Sequence, residues 1–183
     1  MRKNGFTKHL FSLSFIATLL CPAWFGGTNI NLTFPYSWGP NIGWINWAGD
    51  VANGATFANV ASGYIWSGNV GWIHLGDGTP ANGIQYSNTS ATDYGVNIDR
   101  TSDATYQLLS GFAYGANIGW INFNVVNWTG IANRPRIQRS TGRLLGYAWS
   151  ANVGWLPLNS EPFSKVVVQL DNAVPGAAWK AYR

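Results

Sequence analysis

Acid–base or nucleophilic chemistry needs a base, an acid or a nucleophile brought together, and this chain holds few of them. After His9 the one histidine is His74, the one cysteine is Cys21, and the acids are Asp50, Asp77, Asp93, Asp99, Asp103, Glu161 and Asp171. A Ser–His–Asp triad would have to be built on His74, yet no Gly-x-Ser-x-Gly elbow presents a serine to it. A glycosidase, the main form a secreted hydrolase would take, needs two carboxyl groups within about 5 to 10 Å. Asp99 and Asp171 close equivalent strands, which reads as repetition. Asp99-x-Thr101-x-Asp103 has the opening spacing of a calcium loop without the rest of an EF-type loop, so it reads as a turn. No metal set and no cofactor is expected, and the chain is read as non-enzymatic. Asn31, Asn88 and Asn127 open Asn-x-Ser/Thr sequons, which matter only in a glycosylating host.

Aromatic surface is what the chain has in quantity, with 15% aromatic residues against 10% charged and 11 tryptophans. Many of these recur in one pattern, at residues 34–44, 62–72, 110–120 and 146–155. The shared skeleton is Gly-aromatic-x-Trp/Tyr-Ser/Gly-x-Asn-Ile/Val-Gly-Trp-Ile/Leu, with Pro35 in place of the leading Gly in the first copy. Side chains alternate across a strand. Ile45/Trp47, Ile73/Leu75, Ile121/Phe123 and Leu156/Leu158 therefore share a face that is apolar in every copy and should be core. The opposite face carries Trp44, Trp72, Trp120 and Trp155, and two residues on, Asn46, His74, Asn122 and Pro157.

Two readings of those tryptophans stay open. In one they form a partly exposed platform for sugar stacking or protein contact, with amide or imidazole donors beside them. The candidate binding residues are then Trp44, Asn46, Trp72, His74, Trp120, Asn122 and Trp155. In the other each Trp packs across its own hairpin on Trp38, Trp66, Tyr114 or Trp149, a pairing worth about 0.2 to 1 kcal/mol. Repetition in all four copies is what packing requires.

The elements that must position these residues are hairpins. Period-two alternation rich in aromatics argues strand, and the Ser-x-Asn-x-Gly interval argues a tight connection. Asn41, Asn69, Asn117 and Asn152 are expected to make Asx-type bonds to their own turn backbone. Gly43, Gly71, Gly119 and Gly154 are expected to supply a positive φ or a close backbone approach. A third strand follows each hairpin, around residues 55–60, 94–99, 134–139 and 166–171. The expectation is an all-β fold of four tandem three-stranded antiparallel units, about 34–60, 62–99, 110–139 and 145–171. These make roughly twelve strands in one domain, closed as a propeller or barrel or stacked as a sandwich. The central Asn moves from 41 to 69, 117 and 152, spacings of 28, 48 and 35 residues. Such uneven steps suit meandering units joined by loops better than an even solenoid. Residues 172–183 are assigned no element.

The copies resemble the repeats of a group of bacterial secreted proteins that carry Gly-Tyr-Ala-Trp-Ser-x-Asn-x-Gly-Trp-Ile, often with Tyr-Gly-Val-x-Ile-Asp and a Thr-Gly turn. Residues 146–156, 94–99 and 141–142 carry the likeness, which extends over about 34–171. Tyr114 departs from it where Trp is usual, and Pro157 interrupts the last hairpin. The resemblance implies secretion and repeat architecture, and it carries no catalytic residues with it.

An export address is consistent with that. Arg2, Lys3 and Lys8 precede the apolar run 10–20, and Cys21-Pro22-Ala23 ends it, so residues 1–23 read as a secretory signal cleaved after Ala23. Lipidation of Cys21 is the alternative. Those three cations are part of the 11 Lys+Arg, and the remaining 8 face 7 acids, a net charge near zero for residues 24–183. No basic stripe for nucleic acid remains. A sparsely charged secreted repeat protein points first to a self-associating structural or interaction component outside the cell or at its surface. The alternative is a carbohydrate-binding module using its Trp/Asn faces, with glycans as partners. Open sheet edges would favour the first reading, and a closed ring the second.

Overall fold

A computed structural model describes residues 27–49, 52–125 and 133–170. The signal segment with Cys21, and Asp50, Asn127 and Asp171, lie outside the described residues. Thirteen strands form one strongly curled, half-barrel antiparallel sheet.

The repeated stretch folds as four hairpins. They pair β1 (Ile30–Gly39) with β2 (Gly43–Asn46), β4 (Ala61–Ser67) with β5 (Gly71–Gly76), β7 (Tyr106–Gly115) with β8 (Gly119–Asn122), and β11 (Tyr147–Ser150) with β12 (Gly154–Pro157). Their register is the same: Trp38 faces Trp44, Trp66 faces Trp72, Tyr114 faces Trp120 and Trp149 faces Trp155. The turns explain it. Ile42 N–H donates to the Gly39 carbonyl and Ile118 N–H to that of Gly115. The glycine that follows lies in the left-handed region, at φ of 72° for Gly43, 82° for Gly71, 71° for Gly119 and 74° for Gly154. A tight turn followed by a left-handed glycine suits the twist of antiparallel strands, and an L side chain there would be strained.

Neighbouring hairpins join by the same two-residue step. Ile45 and Asn46 pair with Ser67 and Trp66, Ile73 and His74 with Gly115 and Tyr114, Ile121 and Asn122 with Ser150 and Trp149. The path runs β12-β11-β8-β7-β5-β4-β2-β1 and curls until the last hairpin lies beside the first. At that seam Pro157 stands where Asn46, His74 and Asn122 stand elsewhere. It has no N–H to give to a ladder. The Ser160 hydroxyl takes over, accepting the Trp38 N–H at 2.6 Å and donating to the Trp38 carbonyl at 3.0 Å. Ser164 Oγ donates to the carbonyl of Tyr36.

The turns are also tied to one another, and here the structure departs from the expectation for the asparagines. Asn117 Nδ2 donates to the Val70 carbonyl (3.0 Å), Asn152 Nδ2 to that of Ile118 (3.0 Å) and Asn41 Nδ2 across the seam to that of Val153 (3.1 Å). In the two turns that carry serine, the Ser67 and Ser150 hydroxyls accept the N–H of Asn69 and Asn152. Serine adds to this bridge, Ser67 donating to the Ile42 carbonyl (2.7 Å) and Ser150 to that of Ile118 (3.3 Å).

The strands that follow the hairpins are shorter than expected; the first two join the incoming strand of the next hairpin, the third joins the incoming strand of its own, and the last returns to the first hairpin. β3 (Thr56–Phe57) pairs with β4, β6 (Val96–Asp99) with β7, β9 (Arg136–Gln138) with β7 and with β10 (Leu144–Leu145), and β13 (Val166–Val168) with β1. Asn29 completes the circuit, its amide exchanging hydrogen bonds with the backbone of Phe57. Inside the curl Ile45, Trp47, Ile73, Leu75, Ile121, Phe123, Leu156 and Leu158 are all buried, as the alternation predicts. Each buried Ile or Leu contributes about 1.5 to 3 kcal/mol of transfer free energy. The one indole among these core residues is satisfied, Trp47 Nε1 donating to Ser37 Oγ at 2.9 Å.

The turn bridges set a stability order. Asn117→Ala removes the donor to the Val70 carbonyl and is expected to cost about 1 kcal/mol in urea unfolding. Asn152→Ala should cost less, because Ser150 still donates to the Ile118 carbonyl. Gly68 has open space at its Cβ position and a φ outside the left-handed region, so Gly68→Ala should be neutral or stabilising by up to about 1 kcal/mol. Equal losses at all three positions would contradict the bridging role.

Candidate aromatic binding face

Alternation that buries Ile45 and its equivalents turns the repeated tryptophans outward. Trp44, Trp72, Trp120 and Trp155 are 54%, 43%, 45% and 37% exposed. Each meets a further outward aromatic edge-on: Tyr36–Trp44 at 6.3 Å and 81°, Tyr64–Trp72 at 6.2 Å and 81°, Phe112–Trp120 at 6.2 Å and 74°, Tyr147–Trp155 at 6.3 Å and 77°. In two hairpins the cross-strand partner completes a triad, with Trp66–Trp72 at 4.8 Å and Tyr114–Trp120 at 5.0 Å. Packing across the hairpin and exposure to solvent thus coexist. Edge-on contacts of this kind hold the rings at a fixed tilt and leave part of each ring open.

The polar residues expected beside the tryptophans are there, but they are engaged. Asn46 faces Tyr36, His74 faces Tyr64, and Asn122 faces Phe112 across their hairpins. Asn46 Oδ1 accepts the Ala48 N–H at 3.0 Å and Asn122 Oδ1 the Asn124 N–H at 2.6 Å, so both close Asx turns at the end of their strands. His74 stacks on Tyr64 at 4.6 Å, and its Nδ1 lies 2.7 Å from the Tyr94 hydroxyl. The calcium-like stretch is likewise a pair of turns. Asp99 Oδ1 accepts from the N–H groups of Thr101 and Ser102, and Asp103 Oδ1 from those of Thr105 and Tyr106. The Ser102 side chain, with the N–H groups of Thr101 and Ser102, holds Asp99 below the usual carboxyl range, and the N–H groups of Tyr106 and Thr105 do the same for Asp103.

The alternating pattern did not bring Tyr94 to this face. It comes from the loop 77–95, which accounts for the long 48-residue interval between Asn69 and Asn117. The loop is pinned by Tyr86, whose ring lies so close to Gly76 and Gly95 that a Cβ would come within 2.6 Å and 2.2 Å of it. The Tyr86 hydroxyl accepts the Gly78 N–H (2.6 Å) and donates to Asp77 (3.3 Å), and burial pushes its pKa up to about 12. The Asn97 side chain exchanges two hydrogen bonds with the Tyr86 backbone, at 2.8 and 2.9 Å. Asp93 accepts the N–H groups of Ala81 and Ser87, and the bonds from Ser87 and then Ala81 hold it below the usual carboxyl range. So held, the loop sets Tyr94 edge-on to Trp120 (4.9 Å, 89°) and leaves a cavity of about 370 Å³ lined by Asn88, Thr89, Ser90, Ala91, Tyr94, Phe112 and Trp120. The excess interval length was the signal available in the sequence.

No protein-family model, no curated protein and no solved structure matches the chain.

Burial holds the His74 imidazole below its ordinary 6.5, opposed by the Asp77 carboxylate and a hydrogen bond with the Gly76 backbone. The folded state therefore binds fewer protons here than the unfolded chain. The stability that His74 contributes is full above pH 6.5 and is lost as pH falls through the lowered pKa. His74→Asn, the residue found at positions 46 and 122, should flatten the fall in thermal midpoint between about pH 7.5 and 5. The aspartates held below 3.8 do not titrate in that window. An identical fall in both proteins would remove His74 from the account.

Proposed function

We propose that the chain is a non-enzymatic carbohydrate-binding protein, exported to the cell surface or beyond, that takes neutral glycan on its outer aromatic face. The observation that carries this reading is the fourfold recurrence of an outward edge-on aromatic pair with nearly the same ring geometry, extended to a triad at Trp72 and at Trp120. Flat rings held at fixed tilt offer apolar surface to the C–H faces of sugars at little entropic cost, and neighbouring pairs offer successive contacts to a chain of sugars. The ends of the strand path favour this reading over strand addition. β13 covers β1, and Ser160, Ser164 and Asn41 occupy the seam, so the backbone row that another chain would need is engaged. The export signal and the resemblance to secreted repeat proteins support the location.

Self-association is the second reading, and a separate patch favours it. Leu32 and Phe163 are 72% and 90% exposed, next to the β1–β13 edge and the seam. A net charge near zero adds little repulsion between copies. Light scattering across a concentration series tests it, with a sharp monomer throughout counting against it.

For the carbohydrate reading, intrinsic fluorescence of the full chain is titrated with neutral oligosaccharides. Trp44→Ala should keep the fold, since its ring is more than half exposed, and should weaken binding by about 3- to 10-fold, the loss of one ring contact of about 0.5 to 1.5 kcal/mol. Unfolding of Trp44→Ala would make the ring a packing element. A wild-type signal indifferent to a broad neutral panel would sink the reading.

A further inference from the structure

The four outward aromatic pairs are alike, but the one at Trp120 has a wall. We infer that the cavity between Trp120, Phe112, Tyr94 and residues 88–91 is the specificity subsite of the face, and that it takes one neutral sugar residue. The inference rests on the carbohydrate reading and says where that reading becomes selective. Its volume of about 370 Å³ falls in the range of about 300 to 1,000 Å³ usual for small-molecule sites, toward the small end. A pair on an open sheet can contact a chain at any point, whereas a walled one admits a residue of limited size.

The lining sets the chemistry of the occupant. Three aromatic rings supply stacking surface, and Asn88, Thr89 and Ser90 supply an amide and two hydroxyls. Thr89 Oγ1 pairs with Ser87 Oγ at 3.0 Å and Ser90 Oγ with Thr92 Oγ1 at 3.1 Å, and each hydroxyl retains capacity for a further bond. Among the described residues no charged side chain lines the cavity. The nearest carboxylate in the loop, Asp93, is turned to the N–H groups of Ala81 and Ser87. An anionic sugar would find no cation there, and a cationic one no free carboxylate. A neutral polyol with an apolar face fits both halves of the lining.

The site is also held in shape before any ligand arrives. Asn88 sits in the left-handed region at φ 56°, and its Oδ1 accepts the Gly95 N–H at 3.1 Å. Tyr94 is fixed through His74, and the loop through Tyr86. A ligand entering such a site is spared the cost of ordering the loop, which favours affinity for a single residue.

The test titrates the full chain with neutral monosaccharides (glucose, galactose, mannose, xylose and N-acetylglucosamine), their short oligosaccharides, and glucuronate as the charged control, following indole N–H signals by NMR. At least one neutral monosaccharide should shift the Trp120 indole signal. Ala91→Trp, which fills the cavity from an exposed loop position, should weaken that binding tenfold or more, and Gly68→Ala, outside the aromatic face, should leave it within twofold. Ser90→Ala, with its thermal midpoint unchanged, should weaken it about threefold and stands in if Ala91→Trp does not fold. Oligosaccharide binding that Trp44→Ala abolishes and Ala91→Trp does not would overturn the subsite while leaving the aromatic face as the binding surface. Preference for glucuronate would overturn the neutral assignment. Silence of the wild type toward every sugar would overturn the subsite and the carbohydrate reading together.

Discussion

The left-handed glycine that ends each hairpin turn is the constraint on which the rest of the molecule depends. Strand register in an antiparallel pair has period two, so a slip of one residue would exchange the inner and outer faces of a whole strand. Gly43, Gly71, Gly119 and Gly154 hold the same turn in all four hairpins and set Ser/Gly opposite Gly, Trp/Tyr opposite Trp, and the small or apolar inner residue opposite Ile/Leu. With the register held, apolar side chains fill the curl and aromatic side chains line its outside. The aromatic face is therefore a consequence of turn geometry as much as of aromatic content.

Hairpins with fixed register still need a fixed relation to each other. The turn asparagines supply it from above, reaching the carbonyl that follows the neighbouring Asn, as Asn117 reaches Val70 and Asn152 reaches Ile118. The short following strands supply it from below, β3 and β6 pairing with the next incoming strand, β9 with β7 and β10, and β13 with β1. Between these two levels the two-residue ladder steps are enough. Where proline breaks the ladder, a single serine hydroxyl serves both the N–H and the carbonyl of Trp38, and Asn41 makes the same turn-to-turn bond that Asn117 and Asn152 make elsewhere. The seam is thus a chemical substitution within a repeated plan, and the curl brings first and last hairpins together without a free ladder between them.

Much of this was legible because it is local. Hairpins, register, the inner set Ile45 to Leu158 and the outward tryptophans follow from alternation and turn chemistry within a dozen residues. What was not legible depends on partners far apart in the chain. The asparagine bonds span 112, 47 and 34 residues, and an Asx turn is the simpler expectation until the neighbouring carbonyl is in view. The engagement of Asn46 and Asn122 with their own strand ends was local, yet side-chain alternation alone does not show which way an amide turns. Tyr94 read as the start of a strand because its sequence, Tyr-Gly-Val-x-Ile-Asp, alternates. Its side chain is set by the Tyr86 anchor, and that in turn by the lack of a Cβ at Gly76 and Gly95.

The position that varies among the four copies then acquires a cause in each. Asn stands at 46 and 122, where the chain turns back and offers an N–H two residues on for its amide. His stands at 74, where the inserted loop brings the Tyr94 hydroxyl and β4 brings the Tyr64 ring on which it stacks, neither of which an asparagine side chain could serve as well. Pro stands at 157, where the facing strand is satisfied by Ser160 and the ring closes against Gly39, a Cβ at which would lie 2.9 Å from Pro157 Cδ. Variation at this position follows what each hairpin meets at its outgoing edge. The invariant Trp two residues earlier meets a similar edge-on aromatic in every copy. The inserted loop is the largest departure from the common plan, and it falls on the aromatic face, so the rings at Trp120 differ from the other three groups in having a wall beside them.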